Sequence, residues 1–397
     1  MPNLFNALLE GLTLLIGGVA FFLTAWIVVP APTFALLPLG VGAPEVSPWL
    51  MGANAIAALL ALRFVHKRWL RLVLACSLFS LLISTLPLSQ FPAANQRAEA
   101  SMQAALGTHA FAQSAPAFQA QMRPSPFVLS DAFLGIPEQP VRTIAGIQFA
   151  VADGVPLTLT VYQPPQVGQH PTIVVIYGGA WQRGSPNDDA PFSRYMAARG
   201  YTVVAIDYRH APRYRFPAQL EDVRSALTYI QQHAEALEVD VTRLALMGRS
   251  AGAHLAMLAA YQPSSIAIRA IVNYYGPVDL TKGYYDLPNP DPINSRAVLN
   301  ALLGGSPEQF PALYRQASPS ELINKPLPTS LLVYGGRDHL VQAKFGRSLY
   351  DRLQATGSRA VWLEIPWAEH AFDKVFNGVS NQLALYYTER FLAWTLR

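Results

Sequence analysis

Residues 243–258 read RLALMGRSAGAHLAML. The first part, Leu244 to Met247, is a short apolar run with strand character, and the part from Ser250 onward has the composition of a helix. Between them lies Gly248-Arg249-Ser250-Ala251-Gly252. A sharp strand-to-helix turn holds its central serine in a strained backbone state, and neighbouring backbone comes so close that the positions two before and two after must be small. The hydroxyl is then exposed beside a helix N-terminus, which favours negative charge. A five-residue pattern with three fixed letters also arises by chance, so the strand before and the helix after are what make Ser250 a candidate nucleophile.

A hydroxyl nucleophile needs a base and a residue that orients the base. Around an elbow of this kind the partners follow the serine in the order acid, then histidine. The run LLVYGGRDHLV supplies Asp338 just past a later strand, and EIPWAEHAF supplies His370 after the next one. The plain alternatives are a turn aspartate after Gly335-Gly336 and a surface-loop histidine. Of the other histidines, His339 adjoins Asp338 and points elsewhere on a turn, His254 lies one helical turn past Ser250 beneath the elbow, and His210 and His233 precede the serine. His370 is the one that falls in the expected order.

Acyl transfer from such a serine creates an oxyanion, which preorganised N–H donors must meet. The stretch VVIYGGAWQRGSP, residues 174–186, is a β-branched run that ends on Tyr177-Gly178-Gly179-Ala180-Trp181. Backbone amides around Gly178, Gly179 and Ala180, together with that of Ala251, are the expected oxyanion donors. A plain Gly-Gly turn is the bland alternative. Trp181 either packs this loop or walls a substrate pocket as a binding residue.

Working outward, strands and helices alternate over the last 250 or so residues. RTIAGIQFAVA and LTLTVYQ form an early hairpin, followed by the strand-like runs TIVVIY, YTVVAIDY, RLALMG, AIRAIVNYYG, SLLVYGG and AVWLEIP. Helical stretches fall at 217–234, 250–261, 341–356 and 379–396. The expected fold class is α/β, with a mostly parallel central sheet covered on both faces and the chemistry beyond the carboxyl ends of the strands.

The first 88 residues are of another kind. Apolar segments at about 4–29, 48–65 and 69–88 are three candidate transmembrane helices, the second being the shortest for a core of roughly 30 Å. A cleaved leader is a competing reading of the first segment, but there is no basic start and the apolar run is long for one. Arg63, Lys67, Arg68 and Arg71 crowd the connection between the second and third segments, whereas the first connection holds Glu45 and neither Lys nor Arg. The positive-inside rule then places the basic loop in the cytoplasm and everything after Leu88 outside the cytoplasmic membrane. Glu10 is read as an interfacial carboxylate. Residues 89–140, rich in Ala and Gln at first, read as a juxtamembrane helix and linker, and residues 141–397 as the large domain.

Net charge is +4, split evenly between residues 1–88 and the rest, which argues against a nucleic-acid partner. The single cysteine, Cys76, falls inside the third segment and leaves no disulfide or cysteine-based zinc site.

Taken in order, YGGAWQRG, AIDYRHAPRYRFPAQLEDVRSAL, GRSAGAHLA, GGRDHLV and AEHAF resemble the α/β-hydrolase superfamily. The resemblance is to its hormone-sensitive-lipase-like and feruloyl-esterase-like (BD-FAE) carboxylesterase branch and to kynurenine-formamidase-like groups, and it covers roughly residues 142–397. It implies a serine-histidine-aspartate triad at Ser250, His370 and Asp338, with no cofactor and no metal. It also implies that Asp207 and Arg209 brace the active-site loops. Those families begin the oxyanion motif with histidine where this chain has Tyr177, whose phenol is expected to bond a nearby loop. Residues 283–300 suit either a rim over the substrate or an ordinary long loop. The expected activity is cleavage of a small-molecule ester, lipophilic or not, by a membrane-anchored serine hydrolase. Amidase, formamidase, peptidase and acyltransferase chemistry use the same residues, and a non-catalytic binding domain is the alternative outside enzymes.

Overall fold

The computed structural model describes residues 2–108 and 116–397. The runs picked out by their apolar residues form eight strands: β1 (Arg142–Ala152), β2 (Val155–Gln163), β3 (His170–Ile176), β4 (Thr202–Ile206), β5 (Val239–Arg249), β6 (Ala270–Tyr274), β7 (Thr329–Gly335) and β8 (Ala360–Ile365). They make one sheet in the order β1-β2-β4-β3-β5-β6-β7-β8. The pairs β1–β2 and β2–β4 are antiparallel and the other neighbours parallel.

Strand periodicity explains how both faces are covered. Ile173 and Val175 of β3 enter one core with Met196, Phe391 and Leu392, while Val174 and Ile176 enter a second with Val223, Leu227 and Leu255. Continuous burial of this kind is what parallel strands between two helical layers require. Each fully buried Val, Leu or Ile contributes about 1.5–3 kcal/mol. The helices Ala218–Gln232, Ala251–Tyr261, Ala343–Ala355 and Val379–Thr395 lie within two residues or so of the ends expected from sequence.

Before the sheet come α1 (Pro2–Ala25), α2 (Leu37–Glu45), α3 (Ser47–Arg63), α4 (Arg68–Ser84) and α5 (Leu86–Leu106). Helices α1, α3 and α4 pack on one another. Gly17 allows the close approach, since a Cβ there would lie 2.7 Å from Val73 Cγ1. Two helices among the described residues, Leu4–Ala25 and the continuous Arg68–Leu106, are long and apolar enough to cross a membrane. The expected second span lies on α3, whose 17 residues reach only about 25 Å. Together with the Phe34–Glu45 segment before it, bent from it by 81°, α3 makes a third candidate.

This bundle is apolar on the outside. Leu4, Leu8, Leu59, Leu72 and Leu82 are exposed, whereas Thr13, Thr24, Asn54, Ser77 and Ser80 are buried. Asn54 Nδ2 donates to Thr24 Oγ1 at 3.0 Å across the bundle. At one end Lys67, from the basic loop, pairs with Glu10 at 2.5 Å. The opposite end meets the sheet domain: Glu45 accepts from Ser380 N at 2.7 Å, and Arg337 Nη2 donates to Val28 O at 2.6 Å.

Within residues 89–140, α5 runs against the sheet edge. Ser101 Oγ accepts the Trp362 N–H of edge strand β8 at 2.8 Å, and Tyr387 OH bonds Asn95 O at 2.9 Å. An otherwise open strand edge is thereby covered. Residues 109–115 of this linker lie outside the described residues.

Candidate active site

The elbow is built by backbone crowding. Ser250 has φ of +51°, between the last residue of β5 and the first of the helix Ala251–Tyr261. A Cβ on Gly252 would lie 2.0 Å from Ile176 O, and one on Gly248 would lie 2.3 Å from Gly252 C. Those two glycines are therefore obligatory for this turn. The Ser250 amide donates to Tyr274 O at 3.0 Å, which ties the elbow to β6.

Loops after β7 and β8 bring two further side chains to the serine. His370 Nε2 lies 3.0 Å from Ser250 Oγ, and His370 Nδ1 lies 2.8 Å from Asp338 Oδ2. The other carboxylate oxygen, Asp338 Oδ1, accepts the amides of Leu340 and Val341 at 2.8 and 2.7 Å. All three residues sit beyond carboxyl ends of parallel strands, as the sheet topology dictates. Burial lifts the Asp338 carboxyl above its ordinary value against the pull of the imidazole. For His370, burial acts to lower the pKa, but the Asp338 carboxylate, helped by Glu369 and Asp373, outweighs it and holds the imidazole above 6.5.

After β3, Gly178 passes so close to the elbow that a Cβ would meet Arg249 O at 2.9 Å. Gly179 at φ +127°, Ala180 at +56° and Trp181 at +59° then turn the chain. Gly178, Gly179, Ala180 and Trp181 line the same cavity as Ser250 and His370, and Ala251 lies buried directly after the serine. Trp181 touches both the cavity and the core beneath it. Its ring lines the cavity, and its Nε1 donates to His254 Nδ1 at 3.2 Å. His254 Nε2 in turn donates to Ala317 O at 2.6 Å, and burial lowers the His254 pKa to about 4. This histidine is a neutral strut beneath the elbow.

Tyr177, at the position where the expected histidine is missing, anchors its loop in another way. Its hydroxyl donates to Asp207 Oδ1 at 2.5 Å and lies 2.9 Å from His210 Nε2, and its ring stacks on Tyr208 with centroids 4.5 Å apart. Burial, followed by the neighbouring Tyr208 and Asp207, raises the Tyr177 pKa, so the phenol remains a donor. Arg209 fixes the next loop through Asp222, whose Oδ1 lies 2.8 Å from Arg209 Nη2.

One group had no signal in the sequence. Arg249, the residue before the serine, is buried and pairs with Asp373 and, at 3.4 Å, with Asp189. Tyr275 donates its hydroxyl to Asp373 and places its ring 4.5 Å from that of His370. These charges, from the end of β5 and two distant loops, tie the serine strand to the histidine loop.

The cavity encloses about 390 Å³ and its walls are mostly apolar. Residues 283–300 form part of its rim, with Ile293, Val298 and Leu299 facing in. Among the described residues, no cluster of His, Cys, Asp and Glu is arranged to hold a metal ion.

Residues 159–353 match the family model described as BD-FAE. The large domain groups with the α/β-hydrolase carboxylesterases. Among curated proteins, this chain is 31% identical over 241 residues to the probable carboxylic ester hydrolase LipM of Mycobacterium tuberculosis, covering 57% of this chain and 54% of that one. To the esterase LipC of the same organism it is 32% identical over 223 residues, covering 51% and 53%. The chain thus spans about half the length of the curated relatives it matches. Among solved structures, the propionate-bound esterase Est2 of Thermogutta terrifontis is 26% identical, with a TM-score of 0.50, covering 65% of this chain and 92% of that one.

Proposed function

We propose that this chain is a membrane-anchored serine esterase that cleaves carboxylic esters through an acyl-enzyme. The observation that carries this reading is the unbroken relay Ser250 Oγ, His370, Asp338, at 3.0 and 2.8 Å, opening on an apolar cavity. The neutral His370 donates its Nδ1 proton to Asp338 and accepts the Ser250 proton at Nε2. Ser250 Oγ then attacks the ester carbonyl. Amides around Gly178, Gly179 and Ala180, with that of Ala251, receive the oxyanion, His370 returns the proton to the leaving alcohol, and a water repeats the sequence to release the acid. The similar Thermogutta esterase holds propionate, a carboxylic acid of the kind this deacylation releases.

The anchor follows from the bundle. Exposed leucines around a polar, small-residue interior are stable in hydrocarbon and costly in water. In this reading residues 1–88 are the membrane region, with α1, α3 and α4 as spans, residues 89–140 the connection, and residues 141–397 the hydrolase domain. Because the basic loop and the hydrolase domain sit at opposite ends of the bundle, a cytoplasmic basic loop puts the active site on the non-cytoplasmic side.

The test is hydrolysis of p-nitrophenyl esters by the detergent-solubilised chain and its Ser250→Ala variant, with fluorophosphonate labelling in parallel. Activity should fall by roughly 10⁴-fold or more in the variant, and labelling should vanish. A wild-type protein that neither hydrolyses nor labels would end the esterase reading.

A further inference from the structure

The first turn beyond α1 belongs to the active site. Val28, three residues after the end of α1, accepts a hydrogen bond from Arg337, the neighbour of Asp338. Ala31, Leu37 and Val41 then form a small core to which Leu340 contributes, and Leu340 is the residue whose amide holds Asp338 Oδ1. Farther along the same segment Phe34 and Leu37 line the cavity that contains Ser250, facing Leu340, Val341 and Phe345. Phe34 is about half exposed at the rim, with the Arg183 guanidinium 4.6 Å from its ring centroid.

Two consequences follow from chain length and chemistry. A helix of 24 residues is about 36 Å long, enough to cross a bilayer core, so Val28 emerges at the far surface. A hydrogen bond from Arg337 to that residue holds the Asp338 loop at this surface, so the cavity mouth cannot stand off in bulk solvent. The apolar wall supplied by Phe34 and Leu37 continues the exposed apolar side chains of Val28 and Val29. An amphiphile with its chain in the bilayer would meet Phe34 and Leu37 on the wall of the cavity that holds the serine.

Resting on the esterase reading, we propose that the substrates are long-chain esters resident in the membrane, taken up at the bilayer surface with the hydrocarbon chain laid against Phe34 and Leu37. The bundle is then a substrate-binding part of the enzyme as well as an anchor. Water-soluble short-chain esters reach the same serine without using that wall.

The test uses the full chain in phosphatidylcholine vesicles, with p-nitrophenyl palmitate in the vesicles and p-nitrophenyl acetate in the buffer. Leu37→Trp fills the cavity wall. Phe34→Asp places a charge there at a half-exposed position, where Arg183 can pair with it, so folding does not depend on the lost ring. Each variant should lower the palmitate-to-acetate ratio of kcat/KM by about ten-fold or more, the scale on which apolar pockets discriminate. A ratio that holds in Phe34→Asp while a fluorophosphonate still labels Ser250 overturns this inference and leaves the esterase reading standing. So does a wild-type enzyme that prefers acetate. A wild-type protein whose Ser250 does not label refutes the esterase reading itself, and this inference with it.

Discussion

The helical bundle and the α/β-hydrolase domain bury opposite chemistries. In the domain, Ile173, Val174, Leu244 and Leu246 fill the interior, and the buried charges, such as Arg209 with Asp222, are paired. In the bundle, Thr13, Asn54, Ser77 and Ser80 are inside, and leucines and phenylalanines face out. In the membrane-anchored reading one rule produces both: a side chain goes where its surroundings cost least, and the two regions then meet different solvents. Polar burial therefore means different things in each. In the domain it is an electrostatic commitment, with a large penalty if broken. In the bundle it is modest glue.

The largest expected effect lies in the domain. Asp338→Asn should lower kcat by roughly 10⁴-fold with the fold intact, because the amide favours the wrong imidazole tautomer. Steady-state kinetics beside a circular dichroism spectrum checks it, and a drop of only a few-fold would mean the buried carboxylate is not committed to His370. The same pair sets the pH profile. His370 must be neutral to accept the serine proton, and its pKa lies above 6.5, so kcat/KM should fall about ten-fold per pH unit on an acid limb centred above 6.5. A limb centred lower would show that burial, not Asp338, dominates the imidazole.

Next comes a direct confrontation of the two interiors. Asp222→Ala removes the buried partner of Arg209 and leaves it the exposed carboxylates of Asp153 and Glu221, which should cost about 1.5–3 kcal/mol, whereas Asn54→Leu in the bundle should cost about 1 kcal/mol. Denaturant titration of the detergent-bound protein measures both, and equal losses would break the contrast between the regions.

The smallest effect belongs to the seam between them. Glu45, which precedes α3 at the domain end of the bundle, is buried against Ser380, and burial raises its pKa from 4.5 to about 8, with the hydrogen bonds from Ser380 opposing. The folded chain therefore binds this proton more tightly than the unfolded one. Its contribution is fully present below pH 4.5 and is lost as pH rises through 8. Glu45→Gln should match the wild-type melting temperature at pH 5 and exceed it at pH 9. Thermal scans at the two pH values decide, and parallel curves would mean Glu45 is already charged in the folded state.

Several of these features were readable from the chain alone because their causes are local. The Gly248–Gly252 spacing is dictated by a turn five residues long, and strands buried on both faces show as short continuous apolar runs, so the elbow, the sheet and most helix ends could be read directly. Asp338 and His370 follow because strand ends in a parallel sheet share one edge, and only chain order was needed to choose them. The three apolar segments showed through their length and the Arg and Lys between them. The second was the weakest signal, and it became the short helix α3, set at 81° to the segment before it.

What the tertiary structure alone decided are the meetings between distant residues. Arg249 finds Asp373 across 124 positions, and Glu45 finds Ser380 across 335. Tyr177 takes Asp207 and His210 as partners, and Phe34 and Leu37 become walls of a cavity whose serine lies more than 200 residues away. The sequence by itself determined the elbow, the alternation and the amphiphile-like division of the chain, because turn sterics and residue periodicity act within a few positions. It could not determine which surfaces would be pressed together. Burial and charge pairing depend on the arrangement of whole layers, and no spacing along the chain encodes that distance.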